Sequence, residues 1–182
     1  MKQLFRTATL LIMLITVIAL DATAQVGIGA SYERRSDAPT NGFGIQIEKN
    51  VLGFIPVVYL RTRLHASYFS EDASLNLGAI QVNSGKVEAY DFGGALLAGA
   101  GFGLFSPYAG VGVGFENWAF DGDTETNNTM FYYGIAGIAI TPIPFIKPYL
   151  EYRLATYNDL SAARKEIGEG PGRLHIGVTI RF

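Results

Sequence analysis

From residue 26 to its end the chain alternates. Leu174, Ile176, Val178, Ile180 and Phe182 are interleaved with Arg173, His175, Gly177, Thr179 and Arg181, so an extended backbone sets an apolar row on one face and a charged row on the other. The segment from Val57 repeats this, with Val58, Leu60, Leu64, Ala66 and Tyr68 against Tyr59, Arg61, Arg63, His65 and Ser67. Thr62 is its one irregularity. The same parity predicts strands near 26–35, 42–50, 57–69, 86–102, 107–119, 129–141, 148–157 and 172–182. No helical period runs for more than a few turns.

The connectors alternate too. Those after the second, fourth and sixth strands are short and carry Pro56, Pro107, or Pro142 with Pro144, prolines expected at strand starts, where no ladder donor is lost. The others are mostly longer and more polar, as in 121–125 and 158–170. Within the third connector, Asn83-Ser84-Gly85 reads as a turn between strand-like runs, which predicts a hairpin of strands three and four protruding beyond a bilayer. Short turns at one end and larger loops at the other predict an all-β fold, an eight-stranded antiparallel up-and-down transmembrane β-barrel.

Ahead of the strands, Lys2 and Arg6 precede an uncharged run from Thr7 to Leu20, followed by Ala22-Thr23-Ala24. A run of about 14 residues is too short to span a bilayer, which takes about 20. It has the form of a secretory signal peptide, 1–24, cut between Ala24 and Gln25, and leaves 25–182 as the barrel domain. Without Lys2, Arg6 and Asp21 the mature chain has 12 basic against 15 acidic residues, which offers no basic footprint for nucleic acid. The absence of cysteine excludes disulfides, a zinc ribbon and a thiol nucleophile.

Parity leaves open which face meets lipid, and composition decides it. Lys49, Lys86, Lys147 and Lys165 fall at strand ends or in loops, whereas the strand charges on the polar face are Arg35, Arg61, Arg63, Arg153, Arg173 and Arg181 against Glu33, Glu48, Asp91, Glu116 and Glu151. Near balance suits an interior where each charge needs a partner. His65 and His175 share that face, as do eleven of the 22 glycines: Gly27, Gly29, Gly44, Gly93, Gly99, Gly101, Gly110, Gly112, Gly114, Gly137 and Gly177. Small residues beside long arginines fit a narrow eight-stranded lumen. Phe43, Tyr68, Tyr90, Phe92, Phe102, Phe115, Tyr132, Tyr152 and Phe182 are then expected in interfacial girdles on the lipid side.

The eight alternating strands and the final Leu174-His175-Ile176-Gly177-Val178-Thr179-Ile180-Arg181-Phe182 resemble the small OmpA-type and OmpX-type outer-membrane barrels of Gram-negative bacteria, over residues 26 to 182. The resemblance implies that Leu174, Ile176, Val178, Ile180 and Phe182 are the segment read by the barrel-assembly machinery. It also implies periplasmic termini, larger connectors outside the cell, and outer-membrane lipid and lipopolysaccharide as surroundings of a monomer. With no peptidoglycan-binding domain after Phe182, an OmpA-like link to the cell wall is not expected.

Chemistry is sparse. His65 and Ser67 share a face, with Glu151 or Asp91 available to orient the base. The pair is faintly similar to that of an outer-membrane lipid A deacylase, but such an enzyme presents its pair to lipid and this parity turns both inward. Asp121, Asp123 and Glu125 have alternating carboxylates without the bidentate glutamate of a calcium loop. The glycine runs at 99–103 and 110–114 open no helix and cradle no phosphate. Asn127-Asn128-Thr129 matches a glycosylation sequon that carries no meaning in most bacteria. The expectation is a non-enzymatic barrel without cofactor or metal, its lumen closed by Arg–carboxylate pairs, serving envelope integrity or surface contact. The alternatives are a lipid-modifying enzyme and a small-solute channel.

Overall fold

The computed structural model of the protein describes residues 26–36, 38–55, 58–77, 80–120, 127–141, 145–157 and 172–182. The predicted signal peptide with its cleavage site, Pro56, Pro142 and Pro144, the acidic stretch 121–125 and the connector 158–170 lie outside these residues. The strands are β1 (Val26–Arg35), β2 (Asn41–Ile55), β3 (Val58–Leu77), β4 (Ile80–Ala100), β5 (Phe105–Phe120), β6 (Asn127–Ile140), β7 (Ile146–Tyr157) and β8 (Gly172–Arg181). Each pairs antiparallel with the next, and β8 returns to β1 to close the barrel. Closure leaves no unpaired edge in the wall, the condition for a sheet to cross hydrocarbon.

The ladder is strongly staggered. Followed from Arg35 through Arg173, Arg153, Ile135, Gly110, Leu97, Arg61 and Asn50, it returns to β1 beside Val26, at the strand's other end. Such a displacement tilts the strands against the axis, as closure of a sheet into a barrel requires. The start of β1, the end of β8 and the β4–β5 turn lie at one rim, the terminal rim, where Phe182 N–H donates to Val26 C=O at 2.9 Å. There Gly103 and Leu104 alone connect Phe102 to Phe105, and Gly103 takes φ 63°, a left-handed backbone that two-residue hairpins require.

At the opposite rim β3 and β4 run on as a two-stranded ribbon. The β2–β3 ladder stops at Gly42–Phe69 and the β4–β5 ladder at Val87–Phe120, while β3–β4 pairing continues to Leu77–Ile80. The protruding hairpin is therefore present, with a correction to its turn: 83–85 is part of β4, which begins at Ile80 instead of near residue 86. Gly85 takes φ 115°, and the register shifts opposite it between Ala73 and Ser74. A turn-like triplet has been accommodated as a β-bulge. Two further corrections concern the β4–β5 turn. Gly101 lies in the turn and not on the polar face of a strand, and Pro107 is the third residue of β5. The β4–β5 ladder begins one residue later, at Tyr108, so the missing N–H of Pro107 costs it nothing.

The sidedness is that of a membrane barrel. Val111 and Ile45 are 68% and 66% exposed on the outer wall, while Glu116 and His175 are 0% exposed inside. All nine aromatics predicted for the lipid side lie on the outside or at the rims. Phe43, Tyr90 and Phe92 gather toward the hairpin rim, and Phe102, Phe105, Phe145 and Phe182 toward the terminal rim. No helix among the described residues is long and apolar enough to cross a membrane.

Candidate functional site: a salt-bridged lumen

The thirteen ionisable residues assigned to the polar face, Glu33, Arg35, Glu48, Arg61, Arg63, His65, Asp91, Glu116, Glu151, Arg153, Arg173, His175 and Arg181, are all buried inside the barrel. They meet in three clusters along the axis.

Nearest the hairpin rim is a square of two cations and two anions. Arg35, Arg173 and Arg153 stand directly opposite one another on β1, β8 and β7, and Asp91 stands directly opposite Glu116 on β4 and β5. Like charges in adjacent positions repel. They are reconciled by reaching across the lumen: Arg35 donates to Asp91 at 3.2 Å and pairs with Glu116, while Arg173 pairs with Asp91 and with Glu116 at 3.1 Å. The Arg35 guanidinium also lies 3.6 Å from the centre of the Phe69 ring.

At mid-lumen a single oxygen, Glu33 Oε1, accepts from Ser31 Oγ at 2.9 Å and Ser67 Oγ at 3.0 Å, and lies 3.1 Å from His175 Nδ1. His65 faces elsewhere, with Nδ1 at 3.3 Å from the Tyr133 hydroxyl and Nε2 at 3.6 Å from Asp91. Ser67 thus gives its proton to a carboxylate and not to the neighbouring imidazole.

Toward the terminal rim, Glu48 binds Arg63 at 2.7 Å, Arg61 at 2.8 Å and Arg181 at 3.4 Å. Glu151 pairs with Arg63, takes a 2.6 Å bond from Arg153 Nε and accepts from the Tyr108 hydroxyl at 2.9 Å. Beside this cluster the enclosed space is about 10 Å³, at or below what one water needs. Two depressions of about 710 and 470 Å³ lie instead on the outer wall, over Gly134 and Ala66, among lipid-facing side chains.

Periodicity alone does not single out the inward aromatics or one lysine. Phe69, Tyr108, Phe131, Tyr133 and Tyr149 are buried inside, and each rests on a glycine directly across the ladder: Gly42, Gly137, Gly114, Gly112 and Gly177 respectively. A Cβ on Gly114 or Gly137 would sit 2.6 Å from the facing ring. The glycines therefore make room for rings more than for arginines, and an inward glycine facing an inward aromatic was the signal available. Lys147 shares the inward parity of Tyr149 and lines the space at the terminal rim. Among the described residues no group of three or more His, Cys, Asp or Glu could hold a metal ion.

No family profile matches the chain, and no curated protein matches it in sequence. Solved structures do match its fold. Neisserial surface protein A superposes with a TM-score of 0.55 at 15% identity, covering 87% of this chain and 97% of that one. Ail, the attachment invasion locus protein of Yersinia pestis, solved with the heparin analogue sucrose octasulfate, gives 0.53 at 16%, covering 87% and 97%. A major outer membrane protein from Thermus thermophilus gives 0.61 at 15%, covering 88% and 100%. The fold is that of the small eight-stranded outer-membrane β-barrels.

Proposed function

We propose that the protein is a monomeric, non-enzymatic barrel of the bacterial outer membrane. Its termini lie in the periplasm, and its role is envelope integrity or surface contact through the connectors and ribbon at the hairpin rim. The observation that carries this is the filled lumen: Arg–carboxylate clusters occupy it along its length, with about 10 Å³ of enclosed space beside the last of them. A path for solutes would have to separate ion pairs that are nine-tenths buried. Breaking such a pair leaves an uncompensated charge at a cost of about 3–5 kcal/mol. The wall meets outer-membrane lipid and lipopolysaccharide, and Leu174, Ile176, Val178, Ile180 and Phe182, exposed along the outside of β8, form the row offered to the barrel-assembly machinery. A surface role accords with the names of two proteins of like fold, a surface protein and an attachment protein.

The test combines conductance with complementation. Purified protein in planar bilayers is expected to give a flat current trace, and a deletion strain's sensitivity to detergent, or its loss of surface attachment, is expected to be restored equally by wild type and by a variant carrying His65→Ala and Ser67→Ala. Steady single-channel steps would replace this reading with a channel. Altered acylation of outer-membrane lipid that depends on His65 and Ser67 would replace it with an enzyme.

A further inference from the structure

Toward the hairpin rim the outer wall carries a row of large rings: Tyr32, Phe43, Tyr68 and Tyr90 stand directly opposite one another on β1 to β4, followed by Asn117 on β5. In the next outward row Ala66 stands between Ile45 and Phe92 and leaves a gap. The gap is the depression of about 470 Å³, walled by the rings of Phe43, Tyr68, Tyr90, Phe92 and Phe115, a volume within the range of small-molecule sites. The Tyr68 and Tyr90 rings lie 4.8 Å apart centre to centre, and their hydroxyls meet at one carboxylate. Glu88 accepts from Tyr68 at 2.9 Å and from Tyr90 at 3.1 Å, and it pairs with Lys86 at 2.7 Å. Phe92, Tyr90, Glu88 and Lys86 are alternate outward positions of β4, about 6–7 Å apart, so the surface passes from apolar to hydrogen-bonding over a short climb. The larger depression over Gly134 has no such clasp, since no charged residue lines it.

We propose that this groove seats a glycolipid, with an acyl chain lying over Ala66 among the rings and an uncharged sugar headgroup held above by Glu88, Lys86 and Asn117. A lipid is the occupant because the groove is continuous with the lipid-facing wall, and tyrosines suit a place that is apolar at one end and wet at the other. The clasp selects the headgroup. Lys86 and Glu88 neutralise each other, so they offer no net attraction to a phosphate, and the carboxylate repels one. What the clasp retains is mixed hydrogen-bonding capacity: N–H donors on Lys86 beyond the one given to Glu88, acceptor lone pairs on the two tyrosine oxygens, and both kinds on the Asn117 amide. Sugar hydroxyls, each donor and acceptor, match that mixture, whereas a phosphate ester only accepts. Both charged side chains are within reach, Lys86 being 48% and Glu88 27% exposed. Which leaflet supplies the lipid rests on the topology proposed above; the recognition itself does not.

The experiment measures the urea unfolding midpoint in phosphatidylcholine nanodiscs doped with increasing monogalactosyl diacylglycerol, a lipid with a neutral sugar headgroup. Nanodiscs expose both leaflets, so the result is independent of which way the hairpin rim faces in the cell. A saturable rise in midpoint is expected, because a ligand that binds only the folded state stabilises it by mass action, with no comparable rise from phosphatidylglycerol or from soluble galactose. Each variant is compared with its own midpoint in pure phosphatidylcholine. Ala66→Phe, which fills the groove on the exposed face, is expected to abolish the rise. Glu88→Gln is expected to weaken the galactolipid response about tenfold and, by leaving Lys86 uncompensated, to create a response to phosphatidylglycerol. Gly134→Leu, in the other depression, is expected to keep the wild-type response. The proposal is overturned if the galactolipid does no more than phosphatidylcholine, if phosphatidylglycerol or soluble galactose matches it in the wild type, or if Ala66→Phe retains the full rise.

Discussion

The square of Arg35, Arg173, Asp91 and Glu116 makes a quantitative claim about how the barrel is held shut. Each wall carries like charges side by side, so neither wall is electrostatically content until the two meet across the lumen. Glu116→Gln preserves volume but leaves Arg35 and Arg173 sharing Asp91 alone, with one buried positive charge uncompensated. Arg173→Met leaves Arg35 facing two adjacent carboxylates and removes the 2.9 Å bond from Arg173 to the Tyr157 hydroxyl. Each single change is expected to cost about 3–5 kcal/mol. The double variant keeps Arg35–Asp91 as an intact pair, so its loss should fall short of the sum by about 2–3 kcal/mol. The assay is urea unfolding in lipid vesicles, read by the mobility difference between unboiled and boiled protein on a gel. With a slope of about 1–3 kcal/mol per molar urea, each single variant should lose about 1 M or more of midpoint. Single losses under about 1 kcal/mol, or a double variant additive within about 0.5 kcal/mol, would refute the claim that these four groups act as one cross-lumen unit.

The other predictions use the same assay. Gly112→Ala places a methyl group against the Tyr133 ring and is expected to cost about 1–3 kcal/mol, whereas Gly134→Ala, with nothing within 4 Å of the added carbon, should change stability by about 0.5 kcal/mol or less. Val111→Arg puts a guanidinium on the outer wall and should cost roughly 2–4 kcal/mol if the site lies near the bilayer midplane; a neutral result in vesicles would contradict the assigned sidedness. Replacing residues 72–86 with a short turn removes only ribbon that neither β2 nor β5 pairs with, so the midpoint should shift by less than about 1 kcal/mol, and a barrel that no longer folds would show the ribbon to be part of its framework.

The wall was legible in the sequence because the side-chain period of a strand is two and does not drift, so one charged row assigns every neighbour of the same parity. That logic puts Arg61, Arg63 and His65 on one face of β3, and the near balance of arginines and carboxylates along the whole chain turns that face inward. It is silent about partners. Arg173 meets Asp91 across the lumen, 82 residues earlier in the chain, because the stagger of the closed ladder determines which inward rows face each other, and no local pattern records that stagger. The bulge at Gly85 is hidden for a related reason: Asn-Ser-Gly has the composition of a turn, and only the continued pairing to Leu77–Ile80 shows that the chain does not reverse there.

The inward aromatics expose the deeper limit of parity. Tyr108 and Tyr133 look in composition like girdle residues, and what separates them from Tyr132 is position alone, since Tyr132 points to lipid and its neighbour Tyr133 points inward over Gly112. Once inside, the two hydroxyls join the polar network: Tyr108 donates to Glu151, and Tyr133 donates to Gly94 C=O at 3.1 Å while meeting His65. Rings fill space that arginines leave, glycines make room for the rings, and the hydroxyls supply donors to the carboxylates. A lumen of this kind is closed by volume and by charge together. Removing a charge alone should therefore destabilise the barrel without opening it, so that Glu116→Gln lowers the unfolding midpoint while the current trace in a planar bilayer stays flat. Steady conductance from that variant would mean that the rings do not seal the lumen and that the ion pairs alone hold it closed.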